Sequence, residues 1–301
     1  MTSYLLIVNP ASGRGRGLAR AEALRSALAM SNSVEVVPTH RRGFAADVAC
    51  ERAASFERVI AVGGDGTLNE VLSGLMRAGE NADRRPALGF LPSGTANAAV
   101  LAFGFSTSPA AVARSLAAAE IRAVDVGLVT YGGTERPFLL WFGAGYDAVI
   151  MDVLNSKRTG LMGIAGLARK TPSILGAIHR YPAPDIEVRL DAGEPGSSVS
   201  VIVANVGPVA FGGTVAEGVD PFDGRLDVLT VPRSTNLRLV ALTGRLMMSS
   251  LEKAQGVTRT TATRARLASS GGVPFQLDGE PVGTLPAEIR LAPGAVRLLL
   301  T

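Results

Sequence analysis

Three acidic residues have neighbours that suit chemistry. Asp65 lies among three glycines and a threonine in "VIAVGGDGTLNEVL", residues 59–72. Asp278 and Glu280 stand two positions apart in "LDGEPV". A carboxylate flanked by glycines has no bulky neighbour, so a metal ion or a charged ligand can approach it closely. A glutamate within hydrogen-bond reach of a hydroxyl can accept its proton during attack. Such groups suit phosphoryl transfer, which needs positioning and charge neutralisation more than covalent chemistry. The Asp-Gly pair of "LDGE" is also a strong hairpin signal, and from these residues alone the turn is the better reading. The two readings are compatible, because a turn can present Glu280 to a substrate.

The glycines around Asp65 belong to a wider pattern. "NPASGRGRG" (9–17), "GGDGTLN" (63–69) and "PSGTAN" (92–97) each follow an apolar run that reads as a strand. In open α/β sheets, ligands settle outside the carboxyl ends of strands. Glycines let backbone N–H groups approach an anion, and a following helix N-terminus favours negative charge. Three such loops suit a polyphosphate. Ser12, Thr67, Asn69, Thr95 and Asn97 also suit helix caps, and capping and phosphate binding use the same geometry. There is no GxxxxGK[ST] motif, which excludes a P-loop. "GRGRG" lacks GxGxxG spacing, and Thr39 in "VPTHRRG" stands where a dinucleotide ribose would want an acid, which disfavours an NAD(P) dehydrogenase.

Elements must hold these loops in place. Up to about residue 122, strands alternate with helices of 10 to 15 residues, predicting a parallel sheet covered on both faces. From about residue 123 strands dominate: "AVDVGLVT", "RPFLLWFGAG", "DIEVRLD", "VSVIVANVG", "RLDVLTVP", "VTRTTATRARLAS", "PFQLDGEPV" and "AEIRLAPGAVRLLL". Helices interrupt at about 146–179 and 236–252. The expected fold class is an α/β N-terminal domain plus a mainly antiparallel β-sandwich domain. The expected boundaries are 1–124 and 125–291, with a last strand at about 292–301 returning to the first domain.

The motifs "NPASG", "GGDGTLNEV", "PSGTAN", "FGAGYDAVI", "FDGRLDV" and "LDGE" occur in this order across nearly the whole chain. Together they resemble the diacylglycerol kinase catalytic-domain family, especially bacterial soluble lipid kinases related to sphingosine and ceramide kinases. "GGDGT" alone is shared with NAD kinases and phosphofructokinases. The resemblance implies a parallel-sheet, NAD kinase/phosphofructokinase-like domain that binds ATP, a β-sandwich domain for the lipid, and a cleft between them. It implies that Asn9, Pro10, Ala11, Ser12, Gly13, Thr39, Gly63, Gly64, Asp65, Gly66, Thr67, Leu68, Asn69 and Thr95 contact the nucleotide. It implies that Asp278 and Glu280 form the family's acidic pair, with the glutamate as proton acceptor. It also implies a structural Mg²⁺ in "VDPFDGRLDV", held by the Asp223 side chain and the backbone carbonyls of Asp220 and Arg225. Many bacterial relatives have an aspartate where this chain has Ala98, which leans toward the sphingosine/ceramide type. Many relatives also carry a proline near Glu217 and an apolar residue at Arg225.

The implied activity is ATP-dependent phosphorylation of a lipid hydroxyl, with diacylglycerol giving phosphatidic acid. Alternatives are a sphingosine- or ceramide-type kinase, an NAD-kinase-like enzyme, and a nucleotide-binding lipid sensor that has lost transfer. The implied cofactors are ATP and Mg²⁺, and the implied partner is a lipid at a membrane surface, with a homodimer left open.

Bulk composition agrees. Of 301 residues 47% are hydrophobic, which supports a sizeable core. The formal net charge is +4, with no dense basic stripe of the kind nucleic-acid binders carry. Three of the 30 basic residues are lysines (Lys157, Lys170, Lys253) and the other 27 are arginines. Codon usage explains that skew, and a phosphate- or lipid-facing surface is the second reading. Arg14, Arg16, Arg41 and Arg42 flank the phosphate loops and serve equally well as solvated charge. His40 and His179 are not expected to be catalytic. Trp141 with Phe138 and Phe142 reads as core or as an acyl-pocket wall. Cys50 is the only cysteine, which precludes an intramolecular disulfide and fits a reducing cytosol. "LMGIAGLARKTPSILGAIH" (161–179) carries Arg169, Lys170 and Pro172 near its middle and reads as a buried or interface-lying helix pair. Residues 153–180 are the expected membrane contact, peripheral and transient, of a cytoplasmic protein.

Overall fold

The strands that hold the loops are recognisable by their burial. In the computed structural model β1 (Ser3–Val8), β3 (Arg58–Gly63) and β4 (Ala87–Pro92) are near-continuous apolar runs, almost wholly buried. Such runs suit the middle of a parallel sheet, covered on both faces. Between β1 and β3 come a tight turn α1 (Ser12–Gly15), α2 (Gly17–Leu28), β2 (Ser33–Pro38) and α3 (Phe44–Arg52). After β3 come α4 (Asp65–Arg77), β4, α5 (Ala98–Phe103) and α6 (Pro109–Ala118). The structure describes residues 1–79, 85–94, 98–118, 120–155, 164–209 and 213–300. Thr95 and Asn97 lie outside them.

The remaining elements are β5 (Glu120–Tyr131), β6 (Thr134–Phe138), β7 (Trp141–Gly145), α7 (Tyr146–Asn155), α8 (Ile164–Arg180), β8 (Ile186–Leu190), β9 (Gly196–Ser198), β10 (Ser200–Ala204), β11 (Leu226–Val231), α9 (Asn236–Met247), β12 (Thr258–Ala262), β13 (Arg264–Ala268), β14 (Pro274–Leu277), β15 (Glu280–Thr284) and β16 (Ala287–Leu300). The chain divides into two units, Met1–Val124 with Gly294–Thr301, and Asp125–Pro293.

In the first unit the parallel order is β2-β1-β3-β4, with the end of β16 beside β4 through Leu298 and Leu88. Register places Val8 opposite Val62 and Gly63 opposite Pro92, so three strands end level with one another. Helix α4 buries Leu68, Val71, Leu72 and Leu75, spaced as one helical face. Each such side chain contributes about 1.5–3 kcal/mol by leaving water. In the second unit one antiparallel sheet runs β12-β11-β10-β7-β14-β15. The other contains β8, β9, β13 and the start of β16, with β6 pairing β5. Their shared core includes Phe138, Phe142, Phe275, Val203, Leu267 and Ile289. Phe142 stacks on Phe275 at 5.2 Å between ring centroids.

Two predicted strands each divide between the two sheets, and a third, "PFQLDGEPV", is the β14–β15 hairpin. "RPFLLWFGAG" breaks at Leu139–Leu140 into β6 and β7, which lie in different sheets. "VTRTTATRARLAS" breaks at Thr263 into β12 and β13, again in different sheets. Both breaks have the same cause. Asp278 accepts hydrogen bonds from the backbone N–H groups of Leu139, Leu140 and Trp141. Asp191 accepts from those of Thr263 and Arg264. Each aspartate takes donors that sheet pairing would otherwise use, and each stands in the left-handed region, at φ 49° and 47°. Helix α9 also stops short of its predicted end, at Met247.

Candidate functional site

Within the first unit the three glycine loops are bound to one another. The Ser12 and Ser93 hydroxyls share a hydrogen bond of 2.6 Å, joining the loop after β1 to the loop after β4. A Cβ on Gly13 would sit 2.9 Å from the Ser93 carbonyl oxygen, so only glycine permits that approach. The N–H groups of Ser93 and Gly94 donate to the Gly63 carbonyl, tying the third loop to the second. Asp65 completes the set. Its carboxylate accepts from the N–H of Ala98 at 2.9 Å and of Ala99 at 3.2 Å, holding the start of α5. Thr39 closes the other side, its N–H donating to the Val8 carbonyl at 2.7 Å.

Two features of this cluster suit an anion. Helix α4 begins after extended Gly64 with no side-chain cap on its first turn. Its leading amides carry the partial positive charge of a 13-residue helix. Gly13, Arg14 and Gly15 run left-handed in succession, at φ 59°, 62° and 80°. Successive amides in such a turn form a concave, donor-lined surface. A left-handed arginine carries backbone strain, which functional loops tolerate more often than scaffolds do. Thr67 packs over Gly63 so closely that any Cβ there would collide with it.

The second unit builds its own polar centre around the Asp278–Gly279 turn between β14 and β15. Besides its three amide bonds to β7 and the residues before it, Asp278 donates its own N–H to the Trp141 carbonyl at 2.9 Å. Gly279 N–H donates to Gln276 Oε1 at 2.6 Å, and Asn155 Nδ2 donates to the Gly279 carbonyl at 2.6 Å. Gln276 is fully buried, and its Nε2 donates to Asp147 Oδ2 at 2.9 Å. A Cβ on Gly143 would collide with that carboxylate. Glu280, half-buried, follows the turn at the head of β15. The turn that carries Glu280 is thus fixed by Asp278, Gln276 and Asn155.

Asp147 is 3% exposed, in the first turn of α7. Burial pushes its carboxyl from 3.8 up to about 6, while the Gln276 hydrogen bond pulls the other way. The neighbouring Tyr146 phenol is raised as well, first by burial and then by the Asp147 charge. Because the folded value lies above the unfolded one, the folded state holds the proton longer. Its stabilising contribution is complete below about pH 4 and is lost as pH rises through about 6. Asp147→Asn has no proton to lose and keeps an acceptor for Gln276. We expect it to be the more stable protein at pH 7.5 by on the order of 2–3 kcal/mol, with the gap closing toward pH 4. Urea melts at several pH values check this, and a gap that does not change with pH would remove Asp147 as its source.

The loop before β11 is a separate feature of the same unit. Asp220 Oδ1 accepts from Phe222 N–H and Asp223 Oδ1 from Arg225 N–H, each closing a local turn. Buried Asp125 clamps the loop from β5, accepting from Gly224 N–H at 2.8 Å and donating its own N–H to the Pro221 carbonyl. Among the described residues no group of three or more His, Cys, Asp or Glu is placed to hold a metal. The site expected here would draw mainly on carbonyl oxygens, and a carboxylate with carbonyls is a donor set that fits a hard cation.

The structure therefore brings Asn9–Gly13, Thr39 and Gly63–Asn69 together in one unit, and places Asp278 and Glu280 in the other. Thr95 is outside the described residues. Ser93, Asp125, Asp147, Asn155 and Gln276 were not singled out from sequence. Ser93 lies inside "PSGTAN" and Asp147 inside "FGAGYDAVI"; Asp125, Asn155 and Gln276 act through partners far along the chain.

Comparison with known proteins agrees with this construction, an α/β phosphotransferase fold followed by a kinase-type β-sandwich. Residues 3–129 match the family described as diacylglycerol kinase catalytic domain. Residues 141–300 match the YegS C-terminal NAD kinase beta sandwich-like domain. A Stenotrophomonas maltophilia protein named "Probable lipid kinase YegS-like" is 30% identical over 80% of this chain and 78% of its own length. A Mycobacterium tuberculosis protein named diacylglycerol kinase is 26% identical over 97% of this chain and 93% of its own. The crystal structure of a Bacillus anthracis diacylglycerol kinase shares the fold, with a TM-score of 0.77 at 22% identity, covering 100% of this chain and 97% of that one. The chain belongs to the diacylglycerol kinase catalytic domain family, and it is an enzyme of the lipid kinase class. Among the described residues no helix is long and apolar enough to cross a membrane.

Proposed function

We propose that the protein transfers the γ-phosphate of ATP to a lipid hydroxyl, with diacylglycerol as acceptor and phosphatidic acid as product. The observation that carries this reading is the binding of the three glycine loops to one another at the uncapped start of α4, by Ser12–Ser93 and by Asp65 on Ala98 and Ala99. Asn9–Gly13, Thr39, Gly63–Asn69 and Thr95 hold the nucleotide, with backbone amides on its phosphates. Asp65 keeps the loops in register and offers charge to the phosphate-bound ion. Glu280 accepts the proton of the lipid hydroxyl. The new bond joins that oxygen to the γ-phosphorus, the bond from phosphorus to the bridging oxygen breaks, and ADP leaves. Asp223, with the carbonyls of Asp220 and Arg225, would hold a structural Mg²⁺, which when bound stiffens the loop by oxygen ligation. The enzyme acts from the cytoplasmic side, at a membrane surface it visits transiently. Names of relatives support the acceptor class.

Purified protein with labelled ATP and Mg²⁺ should label diacylglycerol in mixed micelles and leave NAD unlabelled. Label on ceramide or sphingosine in preference to diacylglycerol would correct the acceptor. Label on NAD, or bound but untransferred nucleotide, would overturn the reading.

A further inference from the structure

Helix α9 is apolar on two sides. Its inner stripe, Leu239, Leu242 and Leu246, is buried. Its outer stripe starts at Leu237, 82% exposed, passes through Ala241 and Gly244, and ends just beyond the helix at Met248, 78% exposed. A surface helix of a globular protein ordinarily turns charge outward. Between Leu237 and Met248 the only charged residues are Arg238 and Arg245. Nine large hydrophobic side chains are exposed among the described residues, and Leu237, Met247 and Met248 are three of them. A fourth, Leu175, is on α8, which Asn236 ties to α9 through a 2.6 Å bond from its Nδ2 to the His179 carbonyl.

The charge around this face has one sign. Residues 164–184 and 232–251 contain no aspartate or glutamate, and they carry Arg169, Lys170, Arg180, Arg233, Arg238 and Arg245. The flanking acids are already paired, Asp185 with Arg233 at 3.5 Å and Glu252 with Arg259 at 2.8 Å. Lys170 donates to the carbonyls of Val153 and Leu154, and Arg238 to that of Gln255, while Arg169, Arg180 and Arg245 are exposed. A second copy of this chain is a poor occupant, because a two-fold contact would set the same cations against one another. An anionic lipid surface satisfies both properties at once, taking apolar side chains into its acyl layer and arginines at its phosphates.

We infer that α9, supported by the end of α8, is the face on which this protein rests against anionic lipid. Leu237 and Met248 enter the acyl boundary, and the surrounding arginines supply attraction that salt weakens. The inference deepens the lipid-kinase reading by naming its docking face, yet its first test needs no turnover. Flotation is measured with vesicles of phosphatidylcholine alone and of phosphatidylcholine mixed with phosphatidylglycerol. Wild-type protein is expected to float with the mixed vesicles only, and less so as salt is raised. The double variant Leu237→Asp, Met248→Asp is expected to lose about tenfold or more in partitioning at an unchanged melting temperature. Arg245→Glu is expected to lose less. Flotation of the double variant like wild type would overturn the inference, and so would wild-type protein that ignores anionic vesicles. A wild-type dimer that the double variant dissolves would also overturn it. If flotation behaves as expected while neither protein phosphorylates a dispersed short-chain diacylglycerol, the docking face stands and the kinase reading alone fails.

Discussion

Asp278→Asn is expected to lower stability and turnover together, whereas Glu280→Gln removes turnover and leaves the fold standing. The difference lies in what each carboxylate touches. Asp278 Oδ1 accepts from the N–H groups of Leu140 and Trp141, and Oδ2 from that of Leu139. All three donors belong to residues that are at most 3% exposed. An asparagine can keep the left-handed backbone, since its side chain tolerates that region. It can offer one oxygen to two of the donors, but its amide then faces the third N–H, donor against donor. A buried unsatisfied group costs about 1–3 kcal/mol, and the turn loosens as well. We expect a loss of about 2–4 kcal/mol, read as an earlier urea midpoint. Turnover falls with it because the turn carries Glu280. Glu280 is half-buried at a strand head, so glutamine there should cost under about 1 kcal/mol. Losing a general base costs about 10²–10⁴-fold in rate. Equal melting of the two variants, or appreciable turnover by Glu280→Gln, would sink this division of labour.

Much of the first unit could be read from sequence because its signals are local. The apolar runs of β1, β3 and β4 and the glycine-rich loops that follow each lie within a few residues. Helix α4 announces itself by one apolar face. The second unit is harder for a definite reason. Nothing inside "RPFLLWFGAG" marks a break, since the acceptor that captures its amides is Asp278, 138 positions from Leu140. Thr263 is captured by Asp191, 72 positions away. Asp147 and Gln276 each read as ordinary members of a helix start and a strand. Only folding brings them together across 129 positions and makes the carboxyl hard to ionise. Asp65 stands out in the sequence for its neighbours, but its hold on Ala98 and Ala99 does not, because their N–H groups carry no mark in the letters. The Asp-Gly of "LDGE" was legible as a turn, and the turn is there. What the letters do not carry is that its aspartate accepts from three backbone amides of a distant segment.

Asp65→Ala should separate a catalytic loss from a structural one by size alone. The substitution deprives two N–H groups at the start of α5 of their acceptor. That resembles loss of a helix cap, worth about 1 kcal/mol. α5 has only six residues and buries Ala98, Ala99 and Phe103, so packing retains most of its position. If tying the loop were the whole role, the rate should fall by about tenfold at most, since tenfold corresponds to about 1.4 kcal/mol. Removing a preorganised group from a phosphoryl-transfer site costs about 10²–10³-fold in kcat. We expect the larger loss, with an unfolding free energy lower by only about 1 kcal/mol. Asp65→Asn keeps one acceptor for the α5 amides but no charge. It should therefore recover part of the stability, since its amide faces the second N–H, and none of the rate. A variant series in which rate and stability decline in proportion would reduce Asp65 to a structural tie and remove its proposed role toward a phosphate-bound ion.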